Sequence, residues 1–197
     1  MLCVPRTVRP ALAAVALLAL AACGGGAIGQ DDPASGGQSF VSGSYETTVY
    51  APSDRPASPE IHGTTLAGRK LSLSAYHGNI LVLNFWGSWC GPCRQEAPAL
   101  AAVARHFQAD GVRFLGVDIR DSPPAAEAFT QSFRVSYPSL NDPSDGIALA
   151  FQSTVPPAGI PTTLVIDRTG HVAARIVGQV TYYSLTKLIT RVQAQPS

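Results

Sequence analysis

Apolar and polar positions fall into blocks along this chain, and each block predicts an element. Leu81-Val82-Leu83-Asn84-Phe85-Trp86 is almost continuously apolar. Alternation would mark a strand with one wet face, whereas a short unbroken run predicts a strand buried on both faces. Past Cys90 the period lengthens. Ala97, Leu100, Ala104 and Phe107 recur at helical spacing, with Arg94, Gln95, Arg105 and Gln108 off that face. Asp110-Gly111 supplies the left-handed end of this helix. Arg113 to Asp118 repeats the buried-strand pattern, parallel to the first because a helix joins them. Ser122-Pro123 caps and opens a helix to about Arg134. Tyr137 to Leu140 reads as a short extended piece, and Asp145 to Phe151 as a short helix. The Thr163–Asp167 strand turns through Arg168-Thr169-Gly170 into His171 to Val177. Thr181 caps a last helix whose Leu185, Leu188, Ile189 and Val192 form a core stripe. Ahead of all these, Thr64 to Leu66 and Lys70 to Leu73 flank a turn containing Gly68 and predict a hairpin. The alternation of strand and helix gives an α/β fold with a mixed sheet.

The first 59 residues break this pattern. Arg6 and Arg9 precede an uncharged run from Ala11 to Ala22, the form of an export signal and too short for a permanent bilayer anchor. It ends Leu20-Ala21-Ala22-Cys23-Gly24, which looks like a bacterial lipobox. Cleavage would leave Cys23 as a lipid-modified first residue, with an ordinary secretory signal or an uncleaved anchor as the alternatives. Residues 23–59 are rich in Gly, Ser and Pro and read as a flexible tether, within which residues 45–50 could pair as a short edge strand. The folded domain is expected over 60–197.

Composition adds little. Lys and Arg number 14 against 13 Asp and Glu, for a net charge of +1. There is no basic stripe, so nucleic acid is not an expected partner. The 4 cysteines change the picture more. Cys3 leaves with the signal and Cys23 carries lipid. Cys90 and Cys93 remain, where a buried strand hands over to a helix. Unpaired N–H groups and the positive end of the helix dipole favour a thiolate there. Cys90 at the exposed mouth of the turn suits a nucleophile, and Cys93, further in, suits the thiol that resolves the mixed disulfide. Pro92 pre-sets the helical φ between them. A zinc knuckle would need a second cysteine or histidine pair. His62, His77, His106 and His171 are scattered, so no metal ligands and no cofactor are assigned.

Phe85-Trp86-x-x-Trp89-Cys90-Gly91-Pro92-Cys93 resembles the thioredoxin-like fold. Within it, Cys93-Arg94-Gln95-Glu96-Ala97-Pro98-x-Leu100 resembles the TlpA/ResA branch of membrane-tethered disulfide reductases. Gly159-Ile160-Pro161-Thr162-Thr163, followed by Leu164 to Asp167, matches the family's second signature. The likeness covers roughly residues 59 to 195. It implies a three-layer α/β/α thioredoxin-like domain with an N-terminal β-hairpin and a central insertion, here the extra helix and short strand. Thioredoxins carry a buried Asp where this chain has Asn84, which cannot accept a proton. Glu96 occupies the place of the active-site Glu of ResA-like proteins. It is therefore the expected proton shuttle, with a raised pKa in a partly buried site. The resemblance also makes Ile160–Pro161 a cis bond opposite the cysteines. Trp89, Gly91, Pro92, Ile160 and Pro161 are the expected substrate contacts.

The function implied is an extracytoplasmic, membrane-anchored thiol–disulfide oxidoreductase. By resemblance it is a reductase of apocytochrome c thiols, recharged by a transmembrane thiol carrier of the CcdA type. Three other readings stand beside it. One is a disulfide-forming oxidase of the same fold. Another is a peroxiredoxin-like peroxidase, which would need a lone peroxidatic cysteine with a nearby Thr and Arg. The last is a non-catalytic binding lipoprotein.

Overall fold

A computed structural model describes residues 46–156 and 159–195. The elements run β1 (Glu46–Val49), β2 (His62–Thr64), β3 (Lys70–Ser72), β4 (Ile80–Trp86), α1 (Gly91–His106), β5 (Val112–Ile119), α2 (Pro123–Ser132), β6 (Ser139–Asp142), α3 (Gly146–Ala150), β7 (Thr162–Ile166), β8 (Val172–Val177) and α4 (Tyr182–Gln193). Six strands form one sheet in the order β1-β8-β7-β4-β5-β6, and β2 pairs with β3 as a separate hairpin. β4 lies parallel to β5 and antiparallel to β7. The thioredoxin-like α/β fold expected from the motifs is thus present, hairpin included.

Burial explains the placement of β4. All seven of its residues are buried, because its two faces meet two different cores. Ile80 and Val82 face Leu100 and Val103 of α1, Phe107 just past its end, and Leu185, Ile189 and Val192 of α4. Leu81, Leu83 and Phe85 face Ile61, Leu73, Leu140 and Phe151. Fully burying each such side chain contributes about 1.5–3 kcal/mol. The mixed sheet is therefore held from both sides, and its β4 end is a rigid base for whatever follows Trp86. Gly111 adopts φ 68°, a left-handed value that a side chain would resist. It turns the chain into β5; α1 itself already ends at His106 with Phe107 as its cap, so Asp110-Gly111 is not the helix end that was expected.

One expectation needs correcting. The tether was expected to reach residue 59, but the chain is structured from Glu46 onward. β1 pairs antiparallel with β8 from Glu46 opposite Val177 to Val49 opposite Ala174. The backbone then continues along the β7–β8 turn, where Val172 N–H donates to Pro56 O at 2.8 Å and Ser58 N–H to Gly170 O at 2.9 Å. These bonds use main-chain groups, so the polar, proline-rich composition did not announce them. The export signal over Met1 to Ala22, the lipid acceptor Cys23 and the tether up to residue 45 lie outside the described residues. Among the described residues, no helix is long and apolar enough to cross a membrane.

Candidate active site

β4 ends at Trp86, and the turn Gly87–Trp89 delivers Cys90 as the N-cap of α1. Cys90 N–H closes the turn on Gly87 O at 3.1 Å. Cys90 and Cys93 are joined as a disulfide, and the Cys93 backbone N–H points at Cys90 Sγ from 3.2 Å. The same N–H, together with the start of a 16-residue helix, would stabilise a thiolate on Cys90 after reduction. Cys90 is 6% exposed and Cys93 1%. The order matches expectation, but Cys90 is far less open than the exposed mouth that was expected. Trp86, Ala97, Ala126 and Phe129 close around the pair.

Glu96 lies one turn beyond Cys93 and is itself buried. Its two oxygens are both fixed: Oε1 accepts from Asn84 Nδ2 at 2.8 Å, and Oε2 from the Val180 N–H at 2.8 Å. Burial pushes its carboxyl up to about 7, against the lowering effect of those two donors. Asn84 also donates to Thr163 Oγ1 at 3.1 Å, so β4 and β7 position the acid together. Asn84 and Cys93 line one small cavity with Trp86, Phe129, Val135 and Tyr137. Its volume is about 10 Å³, roughly the room for one water. Cys93 and Asn84, which holds Glu96 Oε1, therefore open on the same small space. Tyr137 senses the same acid. Burial, and then the negative charge of Glu96, push its phenol up.

The remaining expected residues are distributed around the turn. Trp89 is 54% exposed; its Nε1 donates to Ile119 O at 3.3 Å, and the Arg120 guanidinium stands 5.8 Å from its ring centre. Gly91 and Pro92 are exposed beside it. The Ile160–Pro161 peptide is cis, and Ile160 packs on the cluster that holds Trp86 and both cysteines. Trp89, Gly91, Pro92 and Ile160 therefore converge on the Cys90 turn, with Pro161 buried one residue beyond Ile160. Helix α2 also reaches the site. Phe129 of α2 stacks on Trp86 with ring centres 4.3 Å apart, and Arg94 lies over the Phe133 ring at 5.4 Å.

The segment after β5 was not foreseen as part of the site. Arg120 adopts φ 50°, and the reversed chain brings Asp121 Oδ2 to the Ser88 N–H at 2.6 Å. Asp118, the register partner of Trp86, is fully buried. Burial, then the charges of Asp121 and Asp142, raise its carboxyl to about 7. The signal was present in the sequence, since an Asp interrupting a doubly buried strand is costly without a partner.

A model of the AhpC/TSA family matches residues 56–175. The thiol-disulfide oxidoreductase ResA of Geobacillus kaustophilus is 34% identical over 123 residues, 62% of this chain and 68% of that protein. The thiol:disulfide interchange protein HelX of Rhodobacter capsulatus is 36% identical over 113 residues, 57% of this chain and 60% of HelX. Among solved structures, a secreted thiol-disulfide isomerase from Corynebacterium glutamicum superposes with a TM-score of 0.71 at 32% identity, over 76% of this chain and 92% of the isomerase.

Proposed function

The chain belongs to the AhpC/TSA family and is a thiol–disulfide oxidoreductase, and from that premise we propose that it works as a disulfide reductase outside the cytoplasm. Cys90 thiolate attacks a substrate disulfide and forms a mixed disulfide, releasing one substrate thiolate. Glu96, as carboxylate, takes the Cys93 proton, and the Cys93 thiolate then attacks Cys90. The second substrate thiolate leaves, and the Cys90–Cys93 disulfide remains. Two electrons have passed to the substrate, and its two thiolates collect their protons from Glu96 and solvent. Trp89, Gly91, Pro92 and Ile160 form the surface on which the substrate peptide lies, with the cis Pro161 buried behind Ile160.

The observation that carries the reductase direction is the buried Glu96, whose carboxyl burial raises to about 7 and whose partner Asn84 lines one cavity with Cys93. A strong oxidant such as DsbA depends on stabilising its reduced form. Buried sulfurs backed by an acid do the opposite, because low dielectric and nearby negative charge both disfavour a thiolate. The likeness to ResA and HelX supports substrates of the apocytochrome c kind and recharging by a CcdA-type carrier. The lipobox at Cys23 supports attachment to the outer face of the cell membrane through lipid.

The reduction potential of the Cys90–Cys93 pair tests the direction. A value below about −230 mV, near thioredoxin, is expected. A value above about −150 mV, near DsbA, would overturn it. That outcome would favour disulfide formation or isomerisation, the second reading, which the similarity to a secreted isomerase over 92% of its length supports. Peroxide consumption is expected to stay at background, since both site cysteines are committed to one C-x-x-C pair.

A further inference from the structure

Asp118 is a buried acid that the exchange mechanism leaves unused. It sits near the end of β5, and neither of its oxygens receives a hydrogen bond. A bare buried carboxylate is strongly disfavoured, so its surroundings must settle the charge. They are acidic. Asp121 approaches from the turn after β5, and Asp142 from the end of β6. Asp142 already caps α3, its Oδ2 accepting from Ile147 and Ala148 N–H at 2.9 Å each. Arg120, the closest cation in sequence, is committed to Asp145 at 3.1 Å and to the Trp89 ring. Among the described residues, no group of three or more His, Cys, Asp or Glu is arranged to hold a metal ion. A proton is what remains to neutralise Asp118.

A protonated Asp118 has one O–H to donate, and Asp121 is within side-chain hydrogen-bonding reach. Asp121 in turn takes the Ser88 N–H at 2.6 Å, two residues before Cys90 in the turn closed on Gly87. On the β4 side, Asp118 is in register with Trp86, which packs in one cluster with both cysteines. We propose that Asp118 holds a proton, that its O–H faces Asp121, and that this proton is coupled, through the Ser88 turn and Trp86, to the redox state of Cys90 and Cys93. Asp118 is a positioning residue, separate from Glu96, and makes no bond to sulfur. Reduction of the disulfide still takes two electrons, and Asp118 exchanges its proton with solvent. Loss of that proton puts a second negative charge beneath the cysteine turn and opposes the Cys90 thiolate. By reciprocity, a thiolate on Cys90 raises the proton affinity of Asp118 by the same factor.

The inference rests on Cys90 and Cys93 being the exchanging pair. Insulin reduction, lost in Cys90→Ser, reads that premise separately. The decisive experiment follows the Asp118 carboxyl carbon by NMR through a pH titration of the full chain, once oxidised and once reduced with dithiothreitol. A midpoint near neutrality is expected, with proton affinity at least about threefold higher in the reduced protein. A midpoint in the ordinary Asp range, or one identical in the two states, overturns the proposal. Asp118→Asn gives a second reading through the rate of Cys90 alkylation by iodoacetamide. That rate should match wild type near pH 5.5 and exceed it about threefold near pH 8.5, where Asp118 is charged. Parallel profiles across that range overturn the coupling. If Asp118→Asn does not fold, the wild-type titration decides alone.

Discussion

Two buried acids, Glu96 and Asp118, are held near pH 7 for different reasons. Glu96 has two N–H donors and is raised by burial alone, whereas Asp118 has no donor and two acidic neighbours. Replacing Glu96 by Gln removes the acceptor for the Cys93 proton. Disulfide reduction should fall by roughly 10²-fold at pH 7, and its rise through neutrality should disappear. A pH profile of substrate reduction checks this, and an unchanged inflection would assign it to another group. The same acids govern stability. Each binds its proton more tightly folded, at about 7, than unfolded, at 4.5 for Glu96 and 3.8 for Asp118. Between those values the folded state holds more protons, so stability must decline as pH rises. The ceiling is roughly 3 kcal/mol for Glu96 and somewhat larger, roughly 4 kcal/mol, for Asp118. Urea midpoints should be higher near pH 5 than near pH 8, and Asp118→Asn should flatten the slope. Glu96 was legible in the sequence mainly through resemblance, since it occupies the place of the active-site Glu of ResA-like proteins. Asn84 was legible only as a missing acid. That it donates to Glu96 and Thr163 depends on β4 meeting β7, which local pattern does not encode.

At the scale of elements, the main surprise is the arm from Glu46 to Glu60. Its composition reads as a tether, and only residues 45–50 offered a short edge strand, which the β1 pairing with β8 realises. What fixes it is Arg55, whose side chain is 5% exposed and pairs with Asp167 at 2.8 Å. Asp167 had an adequate local explanation in the β7–β8 turn, where it accepts from Thr169 and His171 N–H. That local role hid a partner 112 residues earlier. Burial works to raise the Asp167 carboxyl, but the bonds from Thr169, His171 and Arg55 outweigh it and hold the group below its ordinary value. Its contribution to stability is therefore complete above the unfolded value of 3.8 and is lost only as pH falls below that. Arg55→Ala leaves Asp167 without its cation and should cost about 2–4 kcal/mol. The arm should also loosen. Chymotrypsin, excluded from Tyr50 while its N–H bonds Ala173 O at 3.0 Å, should then cleave there. Unchanged protection of Tyr50 in Arg55→Ala would show that backbone pairing alone holds the arm.

For the whole molecule, folding and redox chemistry form one thermodynamic cycle. The stability difference between oxidised and reduced protein equals the shift in potential that the fold imposes on an unstructured C-x-x-C. The closed loop is only four residues, so the disulfide restricts the unfolded chain little. The sign is therefore set mainly in the folded state. Two features favour the thiolate there: the Cys93 N–H at 3.2 Å from Cys90 Sγ and the N-terminal end of α1. Against them stand the burial of both sulfurs and two acids that titrate near neutrality. Arg94, the cation next to Cys93, is exposed and directed to Ser88 O at 3.4 Å and the Phe133 ring. The helix-terminus contribution is about 0.3–1 kcal/mol and reaches about 2 kcal/mol in partly buried sites. Desolvation of a thiolate in a site this closed is the larger effect. The fold should therefore favour the disulfide. Reduction by dithiothreitol should lower the urea midpoint, by about 1.4 kcal/mol of stability for every 30 mV that the folded pair lies below the unfolded one. Raising the pH from 6 to 8 should widen the gap as Asp118 ionises. A reduced form more stable than the oxidised one would mean that the helix terminus outweighs burial, and the chain would then be an oxidant built on a reductase-like frame.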